Sequence, residues 1–388
     1  MRAERQLVKL YCENRLTYYG GGERVILTLS NYLTEKGLSA EIVENCHFAG
    51  EGRVSDDFIK SVSKVPIKCG PYIRFGVTNF FSCYFPSLGD MSRSSISLIF
   101  VRRVPPISYL KSLEAIGDAV IFCLHGIGLE NLRPTNPLIM IHQLVIRHQL
   151  DRLSKHVRSV SGAYVQVLTK GMEKYLKVRG IPAEKIFLIE NGEPSSVLPG
   201  INDDFFQVIF IGRIEKTIKG IRRLRKVIER SKITRPNIRF VIVGSGNDED
   251  MLDDLPSNAH YLKFVDDIRK REELLKSNLM IVTSNIEPFS LVTIEGLLYG
   301  VPVVTTPVSG PSSIVTRDTL FGRVSTFRPG DLVSAIDSYY SIWEKDRTRY
   351  SKLRADISRR AREFYSDKVM GDNYIKMIRE IQEMRNSQ

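Results

Sequence analysis

Residues 283–304 read TSNIEPFSLVTIEGLLYGVPVV. Two acids, Glu287 and Glu295, stand eight residues apart in an otherwise apolar segment, one on each side of a Pro-Phe-Ser turn. The apolar run that closes at Ser284 predicts a strand. Leu291–Tyr299 predicts a helix, with Ser290 as its cap and Gly300 as its stop. The free N–H groups of Leu291, Val292 and Thr293 then point out of the carboxyl edge of a sheet. A helix start of this kind is an anion site, because unpaired amides and the positive end of the helix dipole coincide there. A carboxylate beside bound phosphate makes sense where it grips hydroxyls. The pair therefore suggests a ligand bearing both groups. The plainer alternative is one solvated acid and one acid that favours a helix start.

Around this stretch the chain alternates. Short apolar runs at 207–212, 238–243, 279–284 and 301–305 predict strands, and residues 219–230, 247–255, 270–277 and 291–299 predict helices. Strands alternating with helices imply a parallel sheet, which binds ligands at the carboxyl ends of its strands. The first half repeats the pattern more loosely. Strands are expected at 6–12, 118–124 and 164–168, and a helix over 24–36 follows the glycines at 20–22. Residues 56–115 give no clear pattern. The Pro-, Gly-, Ser- and Asn-rich stretch 194–204 reads as a linker. A chain of 388 residues exceeds one ordinary core. Two doubly wound α/β domains are expected, facing each other across a cleft, which suits an enzyme with two substrates.

Residues 209–220, IFIGRIEKTIKG, place Arg213 and Lys219 six apart around a loop that follows a strand. They can converge on a diphosphate, Arg as a planar fork and Lys as a point charge. The remaining basic residues of KGIRRLRK, namely Arg222, Arg223, Arg225 and Lys226, read as a solvated helix face. The segment 241–250, VIVGSGNDED, lacks the third glycine of a dinucleotide fingerprint. Its D-x-D, Asp248 to Asp250, could serve a metal, but acids are favourable at a helix start in any case. In the first half, Gly20, Gly21 and Gly22 permit close backbone approach to a ligand, and Glu23 suits the helix start. His125 follows a strand and precedes Gly126, so a functional and a structural role are equally open.

Net charge is +12, which favours polyanionic partners without choosing among phosphate ligands, anionic membrane and nucleic acid. The five cysteines form no C-x-x-C pair and read as reduced, cytosolic and mostly core. The histidines show no metal-binding spacing. The charged start Met1-Arg-Ala-Glu-Arg predicts no cleavable leader, and no apolar run reaches the ~18 residues of a membrane span.

At these residues the chain resembles glycosyltransferase family 4, whose members are retaining enzymes of GT-B fold. GGGERVILTLSNYL is similar to the family's first glycine loop and helix. VLTKGMEKYLKVRGIPAEKIFLIENG resembles the end of its first domain. FIGRIEKTIKG matches its G-R-…-K-G loop, VIVGSG its next strand and turn, and EPFSLVTIEGLLYGVPVVTTPVSG its E-x7-E motif. FYSDKVMGDNYIKMI resembles the closing segment, which in that fold crosses back to the first domain. The resemblance implies an acceptor-side domain over 1–193, a linker over 194–204 and a nucleotide-sugar domain over 205–370. Residues 371–388 would be the returning helix.

Position by position it implies that Arg213, Lys219, Gly21 and Gly22 hold the donor diphosphate and that Glu295 binds the ribose hydroxyls. Glu287 and the backbone of Phe289, Ser290 and Leu291 would contact sugar and phosphate. Glu287 and His125 would be the catalytic residues. The donor would be a UDP- or GDP-sugar acting as co-substrate, with no cofactor and no metal. Residues 50–115 match no segment of the family.

The function implied is transfer of a sugar to a glycan or lipid-linked glycan in polysaccharide or glycoconjugate biosynthesis. It would take place in the cytoplasm, with peripheral attachment to an anionic membrane face. Two basic stretches suggest that surface. Residues 71–104 mix aromatic residues with Arg and end in FVRRV. Residues 142–158, HQLVIRHQLDRLSKHVR, set four basic residues and one acid beside helically spaced Leu and Val. One alternative is a nucleotide-sugar epimerase or a glycan phosphorylase of the same fold, though no cue for a phosphorylase's lysine-bound cofactor is present. A non-catalytic nucleic-acid-binding protein is suggested by charge alone, and no helix-turn-helix, zinc-finger or RNA-stacking signature accompanies it.

Overall fold

The computed structural model describes residues 7–45, 52–75, 83–87, 95–113, 119–129, 137–194 and 204–387. It divides into two compact units, one of residues 1–192 with 367–388 and the other of residues 193–366. Residues 195–203, most of the expected linker, lie outside the described residues, as does Cys46.

The first unit runs β1 (Leu7–Cys12), α1 (Gly21–Glu35), β2 (Ser39–Asn45), α2 (Asp56–Val62), β3 (Ile67–Gly70), β4 (Tyr72–Phe75), β5 (Cys83–Pro86), β6 (Ser95–Phe100), α3 (Ile107–Leu113), β7 (Ala119–Cys123), α4 (Pro137–Ser159), β8 (Ala163–Val167), α5 (Lys170–Val178) and β9 (Ile186–Leu188). Among the described residues, seven strands form one sheet in the order β3-β2-β1-β6-β7-β8-β9, and β4 pairs with β5 as a separate hairpin. Every pairing within the seven-stranded sheet is parallel. The order reverses between β1 and β6. The loops leaving those two strands therefore part to opposite sides and leave a crevice at their carboxyl ends.

The second unit runs β10 (Phe206–Ile211), α6 (Ile221–Thr234), β11 (Ile238–Val243), β12 (Ala259–Tyr261), α7 (Asp267–Lys276), β13 (Leu279–Val282), α8 (Leu291–Leu298), β14 (Val303–Thr305), α9 (Ser309–Val315), β15 (Gly322–Val324), α10 (Pro329–Lys345) and α11 (Arg347–Tyr365). Its parallel sheet has the order β12-β11-β10-β13-β14-β15, with the reversal between β10 and β13. Phe206 anchors the core against the rings of Tyr340, Trp343 and Tyr350. The expected helix at 247–255 is only a short 3-10 turn over Glu249–Leu252. Its acids brace neighbouring loops instead of extending a helix, as described below.

The final helix, α12 (Asp367–Asn386), belongs to the first unit. It buries Met370, Tyr374, Met377, Ile378 and Ile381, one stripe at helical spacing. Tyr32 of α1 donates to Asp372 at 2.7 Å. Burial and that carboxylate push the Tyr32 phenol up to about 12.

Two expectations need correction. Cys12 and Cys123 are buried free thiols, but Cys69 is exposed and disulfide-bonded. It stands on β3, the edge strand of the sheet, where a side chain need not enter the core. Among the described residues, the aromatic side chains of 71–104 do not form a surface stripe. Phe85, Phe100, Val101 and Val104 are buried, and Tyr72 and Phe75 pack against the same core.

The closeness of α1 and α12 yields a prediction. Replacing a glycine inside a helix by alanine ordinarily gains about 1 kcal/mol. A Cβ on Gly371 would lie 2.0 Å from the Tyr32 ring. Gly371→Ala is therefore expected to destabilise the protein by about 1–3 kcal/mol in urea unfolding. A gain in stability would show that the helices do not pack this closely.

Candidate functional site

In the second unit the reversal of strand order brings the loop after β10 against the loop after β13. Gly220, at the N-cap of α6, has φ +69°, and a Cβ there would sit 2.2 Å from the Thr283 carbonyl oxygen. Only glycine allows this contact of backbones. The loops are then laced together. Asn285 N–H donates to Ile218 O at 2.7 Å, Asn285 Nδ2 to Thr217 O at 2.8 Å, and Thr283 Oγ1 to Lys219 O at 2.9 Å.

Arg223 completes the lacing. It donates to the carbonyls of Thr283 and Phe327 and to Asn285 Oδ1. Burial lowers its guanidinium to about 10. Its expected place on a solvated face is thus wrong for a physical reason: carbonyls stranded between loops need a multidentate donor. Arg225 likewise reaches the carbonyls of Met251 and Asp253, while Arg222 and Lys226 are exposed as expected.

On this frame Lys219 forms an ion pair with Glu287, and Ser284 Oγ donates to the same carboxylate oxygen at 3.3 Å. The two charged side chains are only 16% and 12% exposed, so the pair is weakly screened. Glu287 is held from behind as well, since Gly310 N–H donates to its carbonyl at 2.9 Å. Gly310 lies so close to Phe289 that a Cβ would come within 2.4 Å of its carbonyl oxygen. Arg213 stands apart. Its side chain is exposed and reaches Glu215 on its own loop at 3.5 Å.

Glu295, inside α8, has a lysine of its own: Lys270 of α7 donates to it at 3.0 Å. The two acids thus point to separate cations. Lys270 is legible in the sequence only as one charge among many in DDIRKREE.

The start of α8 differs from expectation. Ser290 occupies the N-cap position with φ +90°, and its hydroxyl bonds Thr293 Oγ1 at 2.9 Å without capping an amide. Thr293 N–H is taken by Ser290 O at 3.2 Å, so it does not point outward free. A non-glycine residue in this conformation is strained, and such strain gathers at ligand sites. At the other end of the helix the buried Arg354 donates to the carbonyls of Gly300 and Tyr299. Asp248 and Glu249 are structural. Asp248 accepts from Lys216 N–H at 2.9 Å and pairs with its ammonium, and Glu249 accepts from Gly246 N–H at 3.0 Å.

In the first unit, Gly21 and Gly22 open α1 at the carboxyl end of β1. A Cβ on Gly22 would meet nothing within 4 Å. The buried Glu23 accepts from Gly20 N–H at 2.9 Å, from Asn14, and from Arg102 at 3.2 Å. Arg102 follows β6, so Glu23 joins the loops of the two strands at the reversal. His125 follows β7, with its Nε2 3.1 Å from Gln166 Oε1 and 3.3 Å from Tyr374 Oη. Burial lowers its pKa to about 4.

The loop junction is testable by a double-mutant cycle. Glu287→Gln and Lys219→Met are each expected to destabilise the protein by about 2–3 kcal/mol, because each leaves a charge poorly paired. The double variant should lose less than the sum by at least ~1 kcal/mol in urea unfolding. Additive losses would show that the pair is not formed in solution.

Residues 196–364 match the family model described as "Glycosyl transferases group 1". An uncharacterized glycosyltransferase of Methanocaldococcus jannaschii is 29% identical over 153 residues, 37% of this chain and 38% of that protein. The chain therefore spans well under half of the length of that relative. The lipopolysaccharide 1,6-galactosyltransferase of Escherichia coli is 24% identical over 71% of this chain and 79% of its own. Among solved structures, Anabaena HepE in complex with UDP and glucose superposes with a TM-score of 0.64 at 15% identity. That match covers 97% of this chain and 99% of that one. With its two parallel-sheet units the chain has the GT-B fold, and residues 196–364 form a glycosyl transferases group 1 domain.

Proposed function

We propose that this protein is a retaining glycosyltransferase. It takes a sugar from a UDP- or GDP-linked donor and passes it to a glycan or lipid-linked glycan. The observation that carries this reading is the Lys219–Glu287 pair, held between two strand ends where the sheet order reverses. Lys219 and Arg213 would bind the diphosphate. Glu295 would bind the ribose. Glu287 and the backbone of Phe289, Ser290 and Leu291 would meet the sugar and its phosphate. In a front-face displacement the departing diphosphate accepts the proton of the incoming hydroxyl, and the cations stabilise the charge that develops on it. That the relatives named above are transferases supports transfer over epimerisation.

Calorimetry with a panel of UDP- and GDP-sugars tests the site. Lys219→Ala and Glu295→Ala are each expected to weaken donor binding by about 1.5–3 kcal/mol, the loss of one charge-assisted contact. Product NMR should show retention at the anomeric carbon. Unchanged affinity in both variants rejects the placement, and an inverted linkage rejects the displacement.

The acceptor would be met at an anionic membrane surface. The face of α4 turned away from the core exposes Ile141, Leu144 and Val145, followed on the same stripe by His148, Arg152 and Lys155. Leu150, Leu153 and Val157 on the other side belong to the core. Apolar insertion followed by basic contacts is how a surface helix engages anionic lipid, at ~1 kcal/mol per basic residue. Co-sedimentation with anionic vesicles at low salt is expected, and it should be weakened by Leu144→Ser and by Arg152→Glu. Equal recovery with neutral vesicles, or no binding at low salt, rejects this surface.

A further inference from the structure

Glu295 is an acid inside an otherwise apolar helix, and α7 supplies the means of holding it. The side chains of Lys270 and Glu295 are 16% and 7% exposed, with the ammonium 3.0 Å from Glu295 Oε1. Lys270 is held in turn. Asp267, one turn earlier on α7, reaches the same ammonium at 2.7 Å. The first residues of the helix share the work. Asp266 takes the cap position and accepts from Arg269 N–H at 2.7 Å, which leaves Asp267 for the lysine three residues on. A lysine pinned from its own helix has lost much of its rotamer freedom before it meets a second partner. Glu295 therefore finds its cation already in place.

Stability alone does not account for this arrangement. Burying two charges between helices incurs a desolvation penalty that apolar side chains of the same volume would avoid. The charge count points to a ligand instead. One ammonium between two carboxylates leaves a surplus negative charge, whereas Lys219 with Glu287 is neutral. The Lys270 cluster thus favours hydroxyls, which donate, over phosphates, which at neutral pH only accept. Long helical side chains lean toward the start of their helix. For Glu295 that is the end of α8 that follows the carboxyl end of β13.

We propose that Lys270, clamped by Asp267, is a positioning residue that fixes the Glu295 carboxylate as an acceptor for ribose hydroxyls and so makes the second unit discriminate ribonucleotides from deoxyribonucleotides. The proposal rests on the nucleotide-sugar reading of Glu295 and adds what makes that carboxylate selective. Without its cation, a buried carboxylate swings toward water or takes up a proton. In both cases the ribose loses an acceptor where it needs one.

Calorimetry on the full chain with UDP, GDP and their 2′-deoxy forms tests this. The unsubstituted protein should bind the ribonucleotide of its preferred base at least about tenfold more tightly than the deoxy form, the effect of one charge-assisted hydrogen bond. Glu295→Ala should abolish that preference. Lys270→Met should cut it to below about threefold, and Lys270→Arg, which restores a cation, should recover most of it. Lys270→Met added to Glu295→Ala should change the preference no further. Lys270→Gln keeps a donor but no charge, and it should also lose the preference; it replaces Lys270→Met if circular dichroism shows that variant unfolded.

A structural pair would weaken both nucleotides equally. A preference that is lost in Glu295→Ala but intact in Lys270→Met and Lys270→Gln therefore overturns the role of Lys270 and leaves the donor reading standing. A preference that rises in Lys270→Met overturns it too, since the lysine would then be competing with the ribose. A preference that survives Glu295→Ala, or one absent from the unsubstituted protein, rejects Glu295 as the ribose acceptor and this proposal with it. Failure of all four nucleotides to bind rejects the donor reading itself, and the proposal that rests on it.

Discussion

The candidate site of the second unit depends on one contact, the meeting of the loop after β10 with the loop after β13. Gly220 lies against the Thr283 carbonyl with no space for a side chain, and Arg223 and Asn285 tie the remaining polar groups of both loops. Lys219 and Glu287 come from opposite sides of that seam. Their positions follow from backbone packing and do not depend on flexible side-chain choice, which is what a site needs if its geometry is to exist before the ligand arrives. The pair is internally neutral, as is the more exposed pair of Arg213 with Glu215 on the loop after β10.

The first unit applies the same rule with different chemistry. The reversal lies between β1 and β6, and Glu23 bridges the two loops by accepting from Asn14 and Arg102. Here a buried carboxylate joins the loops and no lysine is involved. Gly22 leaves open space beside it. His125 stands one strand further along, where the carboxyl end of β7 is closed over by Tyr374.

Much of this was legible in the sequence, and what was not has identifiable causes. β11 and β13 are almost purely apolar, as strands covered on both faces should be. β2 reads SAEIVEN, and its acids hide it. Both are buried: Glu41 pairs with Lys9 and Lys68, and Glu44 accepts from Leu16 N–H. Residues 56–115 defy a β-α reading because a hairpin, β4 with β5, interrupts the alternation. Lys270 and Arg223 sit in runs of charge where no local signal separates a bound cation from a solvated one. Their roles arise from partners 25 and 60 residues away in the chain. Ser290 has the residue type of a helix cap, but the backbone before α8 is left-handed and aims its hydroxyl along the helix.

The return of α12 to the first unit has a consequence for biosynthesis. Residues 193–366 are continuous in sequence and can fold as soon as they emerge. Residues 1–192 emerge earlier yet wait, because the apolar stripe from Met370 to Ile381 that covers them is made last. The usual order of completion, first-made domain first, is therefore reversed. A chain stopped short of Tyr374 would have a complete second unit but a His125 with one hydrogen-bond partner missing. Such a product would expose the apolar surface around Tyr32 to the cell's quality-control machinery.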